Sequence, residues 1–336
     1  MGYNNIELDF ANFREEILTS RAVKYTNAEN LEEDMELDFT FVKENEKMRE
    51  EINRKSFTFA EDAWRKLKQN KLSIVSLIFI ISITTLAIVV PIFSKYSIFE
   101  TNLSMTNRVP TAAHWFGTDQ LGRDIFVRVM YGARYSLAIA FIASFLNLII
   151  GILYGGVSGY LGGRVDIFMM RVVDIIYSIP MTIYVILIMV TFEKGGFSNI
   201  ILALALSYWI GMARIVRGEI LQLKQQEYIL AARTLGASNK RVLFKHLLPN
   251  SMSSIIVTLT LQIPSAIFTE AFLSFIGLGI TPPAASWGTL ANDALGGFRL
   301  YPYQLIFPTL AICLTILAFN LLGDGLRDAL DPKVRG

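Results

Sequence analysis

The sequence predicts an all-α, polytopic membrane protein with six transmembrane helices. Three observations predict it. Hydrophobic residues fill 53% of the 336 positions and charged residues only 18%, whereas a soluble domain carries roughly 25% charged residues. Charge-free apolar windows long enough to cross a bilayer, about 20 residues, recur along the chain. Lys and Arg gather in alternate connections between those windows, as they do when one face of a membrane retains positive charge.

The chain opens with an acidic tail. Its first 60 residues hold 14 acids and 8 bases, and the remainder holds 15 acids and 23 bases, so the net +2 averages two unlike regions. Residues 1–56 are polar, with scattered Tyr3, Phe10, Phe13, Phe39 and Phe41 in no sustained period. That composition suits a partly helical cytoplasmic tail, and docking through the aromatics is the alternative. The start has no short apolar segment, so no cleavable signal peptide is expected. From 57 to 71, "FTFAEDAWRKLKQNK" suits an interfacial amphipathic helix, with Trp64 at the membrane surface and its lysines snorkelling.

Six windows follow. They are Leu72–Ser94, Tyr135–Gly163, Ile175–Phe192, Gly195–Ala213, Met252–Thr269 and Leu300–Gly323. Residues 95–134 form an extracytoplasmic segment, and 135–336 a core with the other five spans. With the N-terminus inside, the cytoplasmic side holds sixteen Lys and Arg and the outer side seven. Both termini are therefore expected in the cytoplasm.

Within the spans, Gly151, Gly155, Gly159 and Gly163 recur every fourth residue in "GILYGGVSGYLGG". Small residues on one helix face admit a second helix at close range, from this chain or from a partner subunit. Pro180, Pro264 and Pro308 each interrupt a span and favour kinks. Glu270 is an acid near the end of an apolar run, so a place in a transport pathway is one reading. The other is that it reaches water at the outer end of the fifth span. Cys313 is the sole cysteine and His114 and His246 are the two histidines, which excludes an intrachain disulfide and CxxC chemistry and argues against a His-based metal site.

The connection 214–250 contains "EYILAARTLGASNKRVLFKHLLPN", from Glu227 to Asn250. Helix formers run from Gln225 to Leu235, Gly236 is suited to end the helix in a left-handed conformation, and Ser238 can cap the next one. Val242, Leu243 and Leu247 share a face, and Pro249 is expected to punctuate the second helix before the fifth span. The pattern mimics a DNA-binding helix-turn-helix. A recognition helix must be free to enter a groove from a compact domain, but here both ends are pinned by spans. No nucleic-acid partner is expected. The pair instead suits a knob presented to the groove of a soluble partner.

Ala231-Ala232, Gly236 and Leu248-Pro249 resemble the loop signature of ABC-importer permeases: Glu-Ala-Ala, three residues, Gly, nine residues, Ile-x-Leu-Pro. Leu230 stands where that pattern has Glu, and His246 where it has Ile; Glu227 is the nearest carboxylate upstream. "HWFGTDQLGRDIFVRVMYGARYSL" (114–137), "DIIYSIP" (174–180), "KHLLPN" (245–250) and "EAFLSFIGLGITPPAASWG" (270–288) further resemble the C-type permease subunit of oligopeptide/dipeptide importers. The resemblance covers about residues 57–336.

It implies a type I ABC importer permease fold in a bacterial cell membrane, with no catalytic residue and no bound cofactor on this chain. ATP and Mg would sit on two partner ATP-binding subunits. Their motion would enter through the loop 227–249, with Glu227, Ala231, Ala232, Arg233, Gly236, Ala237, Ser238, His246, Leu248 and Pro249 as its coupling residues. The other implied partners are a homologous B-type permease, an extracytoplasmic binding protein and membrane lipid. The absence of a GxxxxGK[ST] loop agrees with that division. In "GTDQLGRD", Asp119, Arg123 and Asp124 either touch the binding protein or pathway entrance, or close a structural cap through local salt bridges. A nickel or other-solute importer of the same family is the alternative substrate reading. A stand-alone transporter, a channel or a membrane-anchored scaffold accounts less well for the loop spacing.

Overall fold

A computed structural model describes residues 58–192 and 196–330, and these residues form helices joined by short connections, with no strand among them. The acidic tail, 193–195 and 331–336 lie outside the described residues. The helices, in order, are α1 (Phe59–Gln69), α2 (Lys71–Phe93), α3 (Ile125–Leu161), α4 (Gly163–Tyr177), α5 (Met181–Phe192), α6 (Phe197–Leu223), α7 (Glu227–Thr234), α8 (Asn239–Phe275), α9 (Trp287–Ala294) and α10 (Tyr303–Leu330). Among the described residues, α2, α3, α6, α8 and α10 are long and apolar enough to span, and the bent pair α4–α5 makes a sixth when its two helices are counted as one span.

Each boundary has a local cause. Thr58 accepts from the Glu61 N–H while Glu61 reaches back to the Thr58 N–H, a capping box that starts α1. The Thr58 backbone N–H, and after it the Thr58 hydroxyl, hold the Glu61 carboxyl below its ordinary range. Lys68 lies 5.2 Å from the centre of the Trp64 ring, its stem laid along the helix. Asn70 then ends α1 and caps α2, its side chain accepting from Leu72 and Ser73. α3 starts ten residues before its apolar window, because the Asp124 side chain caps the N–H of Val127 at 2.9 Å.

The third span is not straight. Its two halves meet at 78° around Ser178–Pro180, where proline has no N–H to continue the ladder. The Ile176 carbonyl is satisfied instead by the Tyr184 hydroxyl at 2.9 Å, as apolar surroundings require. Pro264 and Pro308 both lie buried inside helices that continue past them.

Two ends emerge from the packing. Ser73 Oγ donates to the Leu321 carbonyl at 3.2 Å, which brings the start of α2 and the end of α10 together. At the opposite end Gln304, in the first turn of α10, donates to Asn107 and to the Thr118 carbonyl. Residues 94–124 and 276–302 therefore share one end, and the loop 224–238 lies at the other. The interior divides likewise. Trp287, Ile267, Ala133 and Phe319 centre one apolar cluster towards the 276–302 end, and Met212, Ile220, Ile229 and Leu247 centre another beside the loop.

The tightest seam joins α3 to α6. A Cβ at Gly151 would strike Met212, one at Gly155 the Ala213 carbonyl, and one at Gly159 would sit 2.8 Å from the Arg217 carbonyl. These three glycines thus bring two helices of the same chain together. Gly163 is apart from them: it opens α4 with φ of 57° and nothing within 4 Å of its Cβ position. We expect Gly155→Val to force the helices apart at a cost of about 1–3 kcal/mol, lowering the detergent melting temperature of the purified chain. Gly211→Ala, which meets open space, is expected to leave it unchanged.

Candidate functional site

The loop between α6 and α8 is built by one helix-ending motif. The Gly236 N–H donates to the Arg233 carbonyl at 2.9 Å, and the Ala237 N–H donates to Ala232 at 3.0 Å. That pair of bonds is a Schellman cap, and its fifth residue must be left-handed; Gly236 has φ of 83°. Ala232 and Ala237, half-buried, close the cap from either side. The Ser238 hydroxyl accepts from Arg241 and starts α8. The spacing of small residues and glycine is therefore the spacing of this turn.

The second helix does not stop where Pro249 was expected to end it. Val242–Leu247 form a π-helical turn in which the Leu248 N–H donates to the Leu243 carbonyl, five residues back. The widened turn accommodates the missing N–H of Pro249, and α8 runs on without a break from loop to span. One continuous helix thus joins the loop to a span.

The loop has an inner and an outer face. Ile229, Val242 and Leu247 are fully buried against Met212, Val216 and Ile220 of α6, and each such burial is worth about 1.5–3 kcal/mol. Tyr228, Leu230, Phe244 and above all Leu235, 88% exposed, face outward. Glu227, Ala231, Gly236, Ser238 and Pro249 are exposed with them, whereas His246 and Leu248 are half-buried. Arg233 turns back towards α3, 5.6 Å from the Tyr160 ring. Leu230, which takes the place of an acid in the loop signature, is part of this exposed apolar surface.

Sequence reading missed the braces behind the loop. Arg217 of α6 holds Asp166 of α4 through two bonds of 2.5 and 2.6 Å, and Ser158 of α3 donates to the same carboxylate. Arg214 pairs with Asp174 at 2.9 Å. In the linear chain these charges read only as topology signals; their pairings span 51 and 40 positions and have no local signature.

At the other end, Asp119 accepts from the backbone of Leu121 and Arg123 and from the guanidinium groups of Arg123 and Arg128. Asp124 pairs with His114 at 2.7 Å while capping α3. Gly117 and Gly122 take φ of 78° and 72° to close the ring, Gly122 lying against the Asn102 backbone. Asp119 and Arg123 thus meet, and Asp124 faces a different partner. Glu270 is not with them. It is fully buried and accepts from Ser136 at 2.7 Å and Ser274 at 2.8 Å, rather than reaching water. Ser136 in turn accepts from the Trp287 N–H, which ties α3, α8 and α9 through one carboxyl.

Residues 148–336 match the family described as binding-protein-dependent transport system inner membrane component. Residues 58–110 match the N-terminal TM domain of oligopeptide transport permease C. The oligopeptide transport system permease protein OppC of Bacillus subtilis (strain 168) is 53% identical over 85% of this chain and 93% of its own length. The dipeptide permease DppC of the same strain is 49% identical over 88% and 93%. The glutathione permease GsiD of Escherichia coli O6:K15:H31 (strain 536 / UPEC) is 41% identical over 81% and 90%. Among solved structures, a chain of the inward-facing MetNI methionine ABC transporter aligns with a TM-score of 0.51 at 21% identity, covering 61% of this chain and 96% of that one. That likeness shows the fold.

Two outcomes are expected. Gly236→Ala places a side chain in a left-handed position at a cost of about 1–2 kcal/mol, so α7 amides should exchange hydrogen about tenfold faster. Gly236→Pro should abolish their protection. Glu270→Gln, which keeps hydrogen-bonding capacity, should melt close to wild type, whereas Glu270→Leu orphans two serines and should cost about 1–3 kcal/mol.

Proposed function

As the chain belongs to the family of binding-protein-dependent transport system inner membrane components, we propose that it is the transmembrane subunit of an ATP-driven importer of oligopeptides or dipeptides. It forms half of the translocation pathway, with a homologous B-type permease forming the other half. An extracytoplasmic binding protein delivers the peptide. Two ATP-binding subunits carry ATP and Mg, and the chain itself catalyses nothing.

The observation that carries the reading is the two-faced loop. Its inner face is packed into α6 and α8, while its outer face offers Leu230, Leu235 and Phe244 to a groove. Closure of the ATP-binding subunits displaces the knob, and the continuous α8 passes that displacement into the membrane. In this orientation the loop and both termini are cytoplasmic, and the ring around Asp119 faces outward. Glu227, Ala231, Ala232, Arg233, Ala237, Ser238, His246, Leu248 and Pro249 shape or line the docking surface around Gly236.

A peptide substrate is supported by the relatives, whose names all specify molecules joined by peptide bonds. It is supported too by a neutral polar seam between α6 and α8. Tyr208 shares a 2.5 Å hydrogen bond with Thr269, Gln262 donates to the Tyr208 carbonyl, and exposed Ser265 lies between them in sequence. Uncharged hydroxyls and amides suit a backbone whose side chains vary.

Reconstitution tests the assignment. Proteoliposomes holding this chain, its partner permease, both ATP-binding subunits and the binding protein should accumulate a labelled peptide only with ATP. Uptake by this chain alone, or a complete complex that imports nickel and ignores peptides, would overturn it.

A further inference from the structure

Tyr160 occupies the last turn of α3 and is 8% exposed. In sequence it is one residue among the glycines of "GILYGGVSGYLGG". In the folded chain three other segments converge on it. Its hydroxyl donates to the Asn239 side-chain oxygen at 2.6 Å, at the first residue of α8. The Arg233 guanidinium, from α7, stands 5.6 Å from its ring centre. The Lys224 ammonium, from the end of α6, lies 5.6 Å from the same ring and donates to the Tyr160 carbonyl at 2.6 Å. The ring itself packs in the cluster that holds Ile220, Ile229, Val242 and Leu247.

α3 is not covalently joined to the loop. The chain passes from α6 to α7 through residues 224–226 and from α7 to α8 through 235–238. A pull on the loop would reach α6 and α8 through the backbone alone. α3 is seamed to α6 by its glycines, and at Tyr160 it also meets α7 and α8 directly, with a side chain that has only two rotatable angles and polar partners at its hydroxyl and over its ring. The neighbouring brace, Ser158 and Arg217 on Asp166, joins α3, α4 and α6 but does not include α7.

We propose that Tyr160 is a positioning residue that makes α3 a third output of the loop, moving it in step with α6 and α8. The inference rests on the reading that the loop docks on an ATP-binding subunit. Through α3 the motion reaches the far end of the membrane, because α3 is one unbroken helix from Asp124 and its Ser136 contacts Glu270 beneath α9. The grip is electrostatic and aromatic at its rim and apolar at its base, so it can be weakened in steps.

The test uses the whole reconstituted complex. Tyr160→Phe removes the bond to Asn239 and keeps the ring; Tyr160→Leu removes both; Asn239→Ala removes the acceptor. Each is combined with Leu235→Cys in a Cys313→Ser background, so that cross-linking to the ATP-binding subunit reports docking. With cross-linking at the wild-type yield, the ATP hydrolysed per peptide imported should rise about fivefold or more in Tyr160→Leu and about twofold in Tyr160→Phe. Asn239→Ala should match Tyr160→Phe, and the double variant should be no worse than either. A ratio within error of wild type in Tyr160→Phe and Asn239→Ala, with docking intact, overturns the proposal even if Tyr160→Leu fails to fold. Failure of the otherwise wild-type Leu235→Cys complex to cross-link would overturn the docking reading instead, and the inference with it.

Discussion

The close approach of α3 and α6 is the constraint on which the rest of the structure depends. Lipid tails offer helices no hydrophobic reason to prefer each other, so contact must come from shape and from satisfied polar groups. Gly151, Gly155 and Gly159 supply the shape by removing every side chain that would hold Met212, Ala213 and Arg217 away. Once the two backbones are that near, Arg217 can reach Asp166, and Ser158 can join the same carboxylate. The seam also fixes the distance between Tyr160 and Lys224, and hence the footing of the loop.

From that seam the two ends acquire opposite characters. The loop end is a capped turn with a packed inner face, an exposed apolar outer face and a continuous helix leading inward. The far end is a clasp. Asp119 gathers two arginines, Asp124 holds His114 and starts α3, and Glu270 draws Ser136 and Ser274 around a carboxyl with no exposure. A buried acid without a cation is tolerable only because hydroxyls surround it. Through Glu270 and Ser136 the clasp ties α3, α8 and α9 at one point.

The glycine series shows both the reach and the limit of reading the chain directly. Three of its four members fulfil the close-packing reading within this chain, since helical periodicity places them on one face. Gly163 keeps the period but not the helix, because the left-handed Gly162 and Gly163 turn the chain into α4. Pro180 and Pro249 make the same point. Each lacks an N–H, yet one lies at a 78° bend and the other within a helix that continues. A hydroxyl from Tyr184 accommodates the first, and a widened turn the second.

What the sequence by itself determined are the features that depend on near neighbours: the apolar spans, the asymmetry of positive charge, the cap at Ser238, and the small-residue spacing of the Gly236 turn. Each is a matter of hydropathy or of a hydrogen bond closed within a few residues. Only the tertiary structure decided that Glu270 is sealed among serines, that Arg217 belongs to Asp166, and that Tyr160 joins α3 to the loop. Apart from Ser274, one turn from Glu270, those partners lie 51 to 134 positions apart. A polar side chain in an apolar interior must take whichever partner the packed helices bring to it, and no local pattern records which one that will be.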